Sequence, residues 1–535
     1  MFDVLTTDRQ ARAAASRNIL GAGLLCAVFL ASPVHAQACV AVDRVDLRGV
    51  TLLDAGALQA QLSARMGCVD LGGLNDLLET VTLAYVEAGY IAARAYLPEQ
   101  DLSDGTLTIA VVEGKLSAIN LRENGTPAPR RASTAFPGII GSPLQLRELE
   151  QGLAQINRLR SSDAVSALEP GAEAGETVLS VDVTQGSPWS GSASMDNRGS
   201  ETTGRFNLGA ALTYDDLFGL NDVWTLSTQR SMEPSPLALG TDVPVGRSLS
   251  LSGSVPYGFW TFGVAASASD YVTDIPGITG PIESTGQSGN LRLSADRVLS
   301  VTQTGRWDAG VSLEVKENEN QILGATIDTA SRRLSVLDLW LSRSQPVLGG
   351  QGQARLTYRQ GLDAFAAFDD DTAPPGSPKA EYDAVLFDLS WARQWDVGAQ
   401  AVVLNSRISG QYSDDNLFGS EQLSVGGFGG VRGTRTGVLF GNRGAQITNT
   451  FSLPDLWQDA AGWRVAPYLG LDAGYVAAQD DFGIAGGHLA AWSVGATLAS
   501  QGGFSLDTVY SEVFDASSNV DAPAGVFSVM ARIGF

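Results

Sequence analysis

The sequence predicts a mainly β protein: an antiparallel transmembrane barrel of about sixteen strands, preceded by two small α+β domains. Three observations lead there. The chain opens on an export signal and afterwards carries no apolar run long enough for a membrane-spanning helix. Helical periodicity occurs twice between residues 40 and 186 and then disappears. From about Ser187 to Phe535, short runs alternate apolar and polar residues between glycine-rich turns.

The export signal comes first. Arg9, Arg12 and Arg17 precede the apolar run from Ile19 to Ala31, and "SPVHAQA" follows with small residues flanking a cleavage point. Residues 1–36 therefore read as a Sec signal peptide, cut between Ala36 and Gln37. The apolar run is shorter than the ~20 residues a membrane helix needs. A lipid-modified Cys39 is disfavoured, because "AQAC" lacks an aliphatic residue three positions earlier. Of three cysteines, Cys26 leaves with the signal, so Cys39 and Cys68 remain. Two cysteines in an oxidising compartment usually pair. Closing that loop stabilises the fold by about 3.5 kcal/mol on a chain-entropy model; two separate buried thiols are the alternative.

The first small domain spans 37–114. "VDRVDLRGV" reads as a strand, and "LGGLNDLLETVTLAYVEAGY" places Leu74, Leu77, Leu78, Val81 and Tyr85 on one helical face, with Gly89 as a stop. "AARAYLP" and "GTLTIAVVEG" are strand-like. The second domain, 115–186, repeats the scheme: strand "KLSAINLRE", a helix with Leu146, Leu149, Leu153 and Ile156 on one face, and strand "ETVLSVDV".

The barrel is expected over 187–535. In "FNLGAALTY", Phe206, Leu208, Ala210, Leu212 and Tyr214 share one face against Asn207, Gly209 and Thr213. Val385, Phe387, Leu389 and Trp391 oppose Asp388 and Ser390, and the chain ends with Phe527, Val529, Ala531, Ile533 and Phe535 in phase. A soluble sandwich shows the same alternation, but this segment is too long for one. At roughly 22 residues per strand and connection it holds about sixteen strands, enough to leave an aqueous lumen.

Other chemistries have little support. There is no Walker loop, so nucleotide-driven transport is not indicated, and no basic patch points to nucleic acid. His488 is the one histidine after the signal, which argues against a His-based triad and an H-E-x-x-H zinc site; no enzyme activity, cofactor or metal is expected. Asp369-Asp370-Asp371 lacks the spacing of a calcium cage and reads as a solvated loop. One stretch stands out in a chain of net charge −23: "SVGGFGGVRGTRTGVLFGNRG", residues 424–444, rich in glycine, with three arginines and no acid. Glycines lose more entropy on ordering than other residues, so such a loop needs a firm anchor.

Several of these stretches together resemble the TpsB transporters of two-partner secretion, the haemolysin secretion and activation type, across nearly the whole chain after the signal. Tyr85 to Leu116, with "PEQ" and "VVEG", is very close to the family's first POTRA domain, Ala135 to Leu159 looks like its second, and "VPYGFW" is similar to an early barrel strand. Cys39 and Cys68 fall where many members carry a disulfide. The glycine-rich stretch resembles the loop between barrel strands eleven and twelve that folds into the lumen with the motif V-R-G-[YF]. Val431, Arg432 and Gly433 match it, and Thr434 stands where the aromatic would be. The resemblance implies that Arg432 pairs with Asp472 in "PYLGLDAGYV", on the inner barrel wall.

It also implies a Gram-negative outer-membrane transporter, surrounded by outer-membrane lipids, with its POTRA domains in the periplasm. The partner would be an unfolded exoprotein with an N-terminal secretion domain, haemolysin- or adhesin-like, secreted through the barrel without nucleotide hydrolysis. Phe535 is the kind of terminal residue that the barrel-assembly machinery reads. Some members carry an N-terminal plug helix; cleavage after Ala36 leaves no room for one here, so pore closure is expected to fall to the inward loop and the extracellular loops. The alternatives are an outer-membrane protein assembly factor of the same superfamily, which usually has more POTRA domains, and a passive porin, which would leave the soluble domains unexplained.

Overall fold

The computed structural model describes residues 39–200, 203–232, 245–277, 280–327, 330–372, 374, 376–522 and 524–535. The expected signal peptide and its Ala36–Gln37 cleavage pair lie outside them.

In the first domain, the helix Leu71–Glu87 starts where the Asp70 side chain accepts the Gly73 N–H. It buries Leu77, Val81 and Tyr85 against a mixed sheet ordered Arg44–Arg48, Thr106–Val112, Arg94–Tyr96. A second helix, Ala55–Ser63, was not foreseen: with only Leu58 and Leu62 buried it is too short to show a period. Cys39 and Cys68 form a disulfide, Cα atoms 5.3 Å apart, at the edge of a small ladder in which Val40–Val42 pairs with Gly67–Val69. Glu113, the acid of "VVEG", closes the other side. Its carboxylate accepts the Thr51 N–H at 2.6 Å, the Leu52 N–H and Tyr85 hydroxyl at 2.8 Å, and the Thr51 hydroxyl. Burial raises this carboxyl's pKa, but those four donors outweigh it and hold the group below the usual glutamate range.

The second domain is a four-stranded sheet ordered Thr126–Pro127, Lys115–Glu123, Glu176–Gln185, Ser162–Pro170, covered by helices Pro129–Ala135 and Leu146–Asn157. The expected apolar face of the longer helix needs correction. Leu149 and Ile156 are buried, but Leu146 is exposed, and Gln151 and Gln155 are buried in addition. The reason is tertiary: this helix packs on its own sheet and also presses on a barrel turn that needs hydrogen-bond donors.

Sixteen long strands, from Trp189–Asp196 to Val526–Gly534, pair antiparallel with their neighbours and close into a barrel, with two-residue strands at Ala325–Thr326 and Trp457–Gln458. Closure runs from Ser192 opposite Gly534 to Asp196 opposite Met530, and Gly191 and Phe535 extend it by exchanging N–H···O bonds of 3.0 Å. Leu208, Leu212, Val385, Leu389, Phe527 and Ile533 all point outward and are exposed, as lipid-facing positions should be. "VPYGFW" is not one strand. It ends the fourth strand (Val245–Tyr257), turns at Gly258-Phe259, and begins the fifth (Trp260–Gly277). Gly258 takes a φ of +58°, which favours glycine, and a Cβ there would press on Pro137 of the second domain.

Candidate functional site

Two places bring polar side chains together in a way that bears on transport: the joint between the second domain and the barrel mouth, and the lumen.

At the mouth, Arg131 is 1 % exposed. Its guanidinium donates to Asn221 Oδ1 at 2.8 Å, Glu123 Oε2 at 3.0 Å and Ser162 Oγ at 2.9 Å, and lies 3.4 Å from Asp216. Asn221, on the turn after the second barrel strand, answers by donating to the Arg131 carbonyl and the Thr134 hydroxyl, each at 2.9 Å. Burial pushes the Asp216 carboxyl upward in pKa, opposed by Arg131 beside it. At the next such turn, the Gly258 carbonyl accepts from Gln151 at 3.1 Å and Gln155 at 2.9 Å, while its N–H donates to the Thr134 carbonyl at 2.8 Å. Arg158 adds donations to the Asn221 and Ser254 carbonyls. Arg160 reaches the carbonyl of Phe535, whose ring is otherwise 72 % exposed.

In the lumen, the connection between the eleventh strand (Gln400–Tyr412) and the twelfth (Gly444–Ser452) folds inward as a β-hairpin, Leu423–Gly426 paired with Gly437–Gly441. Its tip carries the motif. Arg432 donates to Asp472 through Nε at 2.6 Å and Nη2 at 2.7 Å, a two-pronged fork, and its own backbone N–H reaches the same carboxylate at 3.1 Å. The remaining Nη2 proton goes to the Asn449 carbonyl at 2.9 Å, and the Asn449 N–H donates back to Asp472 at 3.2 Å. Asp472 sits on the thirteenth strand (Arg464–Val476) and is 3 % exposed.

Gly433 follows at a φ of +115°, with Val513 and Ala491 so close that a Cβ would strike them. Thr434 does not reach the wall. Its hydroxyl accepts the Gly427 N–H and donates to the Thr436 carbonyl, both at 2.9 Å, tying the hairpin to itself. Arg435 bonds the Asn197 carbonyl at 2.7 Å, just past the first strand, and Arg198 beside it lies over the Phe428 ring at 5.2 Å.

The Arg432–Asp472 pair is not the hairpin's whole anchor. Val425, Val431 and Leu439 of the hairpin pack on Val476, Leu489 and Ala491 of the wall. The signal was present: Val476 is in phase with Asp472, at a lumen-facing position where a wet barrel would carry a polar residue. The other residues singled out have local roles. His488 lies 3.3 Å from Asp515 and 2.9 Å from the Ser517 hydroxyl at an exposed strand end, and Asp370 accepts the Ala380 and Glu381 N–H groups to shape a loop.

A family model described as "Haemolysin secretion/activation protein ShlB/FhaC/HecB" matches residues 175–498, more than half of the chain. The chain belongs to the ShlB/FhaC/HecB family. A ShlB-type POTRA domain model matches residues 40–114 and a POTRA model residues 115–170. The chain is similar to the outer membrane transporter CdiB of Dickeya dadantii, 33 % identical over 492 residues, 91 % of this chain and 82 % of the relative. The hemolysin transporter protein ShlB of Serratia marcescens is 29 % identical over 451 residues, 84 % and 78 % of the two chains. The solved structure of CdiB from Escherichia coli superposes with a TM-score of 0.83 at 27 % identity, covering 94 % of this chain and 92 % of that one. The ShlB/FhaC/HecB proteins are outer-membrane transporters of two-partner secretion, with the POTRA domains on the periplasmic side, and the barrel and its two N-terminal domains place this chain in the same membrane.

Proposed function

We propose that this member of the family takes an unfolded partner exoprotein with an N-terminal secretion domain from the periplasm, captures it on its POTRA domains and secretes it through its own barrel without nucleotide hydrolysis. Folding of the passenger outside the cell supplies the direction. The Ser162–Pro170 strand forms an outer edge of the second domain's sheet, nine residues long, with Val165 and Leu168 exposed. An extended peptide added to such an edge gains main-chain hydrogen bonds, and alternate side chains supply selectivity.

The observation that carries the reading is the joint. Ser162, the first residue of that edge, shares the Arg131 guanidinium with Asn221 of the barrel turn. A passenger captured on the edge is therefore delivered next to the pore mouth. At rest the lumen hairpin obstructs the pore, held by Arg432 and Asp472, and it yields when the passenger enters. Phe535 serves as the signal for barrel assembly.

The test replaces Val165 and Leu168 together by aspartate and measures exoprotein delivered to the medium per folded barrel. Secretion falls while the barrel inserts normally. Unchanged secretion would exclude this edge as the capture site.

A further inference from the structure

The hairpin of the lumen is fastened at its tip by Arg432, yet its entering limb is fastened as well, by a residue that neither the motif nor the family match singles out. Glu421 stands just before the hairpin and is 3 % exposed, its carboxylate fully so enclosed that no part of the side chain meets solvent. Lys316 of the seventh strand (Gly305–Ile322) donates to both of its oxygens, at 2.9 and 3.1 Å. The Tyr382 hydroxyl, just before the tenth strand (Asp383–Val397), donates at 2.7 Å. Arg359 of the ninth strand (Gly350–Leu362) lies 3.6 Å away and is itself forked onto Asp338 of the eighth (Arg332–Val347) at 2.8 and 3.0 Å.

The backbone is held too: the Glu421 carbonyl accepts from Gln411 at 2.9 Å. Directly upstream, the Phe418 ring is buried under the Arg332 guanidinium, 4.3 Å from its centre. A buried carboxylate with two cations and a hydroxyl around it is costly to leave unpaired, so this arrangement fixes where the limb lies. A loop that was merely passing would keep its acid in water.

We infer that Glu421 is a second positioning residue of the transport machinery: it pins the entering limb to strands seven to ten, while Arg432 pins the tip to strands twelve and thirteen. The segment from 421 to 432 is thereby tied to two arcs of the wall. With either fastening lost, the hairpin keeps only the other, the apolar packing of Val425, Val431 and Leu439, and the Arg435 bond. The inference rests on the reading that the hairpin obstructs the pore at rest.

The experiment uses the full chain, purified and inserted in planar lipid bilayers, with a nitroxide label on Gly429→Cys. A Cβ at that position meets nothing within 4 Å, so the label fits without disturbing the tip. Glu421→Ala, Glu421→Asp and Arg432→Ala are compared with the labelled parent for single-channel conductance and for label mobility. The expected result is loss of the low-conductance level and a mobile label in Glu421→Ala and in Arg432→Ala, with both restored in part by Glu421→Asp, because the charge returns on a shorter stem. A general weakening of the barrel would not be rescued by that shorter acid while heat-modifiable gel mobility stayed normal. Should Glu421→Ala fail to insert, Glu421→Gln, which keeps the length and the Tyr382 bond, is read in the same way.

If the Glu421 variants keep the parent's conductance and an immobile label while Arg432→Ala opens the pore, Glu421 has no positioning role and the pore reading stands. If Arg432→Ala also leaves conductance unchanged, the hairpin does not close the pore, and the inference falls with that reading.

Discussion

Arg131 at the barrel mouth, buried, and Arg432 in the lumen, half-buried, are both set against the barrel, and they are bound in opposite ways. Arg131 spreads its donors over Asn221, Glu123 and Ser162, with Asp216 close by, so that two domains share one cation. Arg432 commits its fork to a single carboxylate, Asp472, with one further bond to a carbonyl. A distributed site loses its partners only when the domains come apart. A concentrated site can be released in one step and leave the wall intact. The first is suited to a permanent joint, and the second to the releasable hairpin of the proposed function.

The largest effect should come from breaking the joint. Arg131→Ala leaves the enclosed Asp216 and the part-exposed Glu123 without their cation, at a cost of about 3–5 kcal/mol. The expected outcome is a second domain that proteases cut readily and a lower yield of heat-modifiable barrel; a protease-resistant, fully assembled variant would show that the joint is not structural.

Next comes the lumen pair. Asp472 is more enclosed than a wet lumen would suggest, so Arg432→Ala and Asp472→Ala should each cost the hairpin's seat about 2–5 kcal/mol, without unfolding the barrel. Both should depress secretion to a similar degree. Arg432→Lys should be nearly as poor, because an ammonium cannot reproduce the fork. Exchanging the two residues should recover part of the loss. Normal secretion by Asp472→Ala beside a defective Arg432→Ala would assign the arginine another partner.

The smallest effect lies away from both sites and serves as their control. The Glu113 carboxyl is held below its usual range by Thr51, Leu52 and Tyr85. A depressed carboxyl stabilises the fold fully above its unfolded pKa and loses that contribution as pH falls through the folded value. Hydrogen exchange in the first domain should therefore quicken as the pH drops below about 4.3, the ordinary glutamate pKa. Glu113→Gln should remove that dependence and leave the lumen hairpin unchanged. An acid-independent exchange rate in the parent chain would remove Glu113 as the staple.

How much of this was legible in the sequence depends on whether the controlling interaction is local. The alternation in "FNLGAALTY" and the terminal Phe527–Phe535 run gave the barrel, because a strand's period is written in consecutive residues. Leu77, Val81 and Tyr85 were placed by helical spacing for the same reason. Arg432 and Asp472 came from a resemblance to relatives; composition alone would have left Arg432 a solvated lumen charge.

What escaped was tertiary. Gln151 and Gln155 look like surface residues until the Gly258 carbonyl is set against them. Asn221 reads as a turn residue, and nothing near it in the chain reveals the Arg131 backbone that it caps. Glu421 looks like any loop acid, since Lys316 and Tyr382 are far away along the sequence.

The contacts of the hairpin tip also set an order in time. Arg435 holds the carbonyl of Asn197 beside the first strand, while Gly433 rests against Ala491 on the fourteenth (Gly487–Ala499) and Val513 on the fifteenth (Phe504–Ala516). These partners stand side by side only after the ends of the sheet have met. Contacts between residues so far apart in the chain form late, because the intervening chain must first be organised. The tip can therefore take its final seat only once the ring is shut, and protection of the Arg432 amide marks the moment at which a newly inserted chain has finished closing.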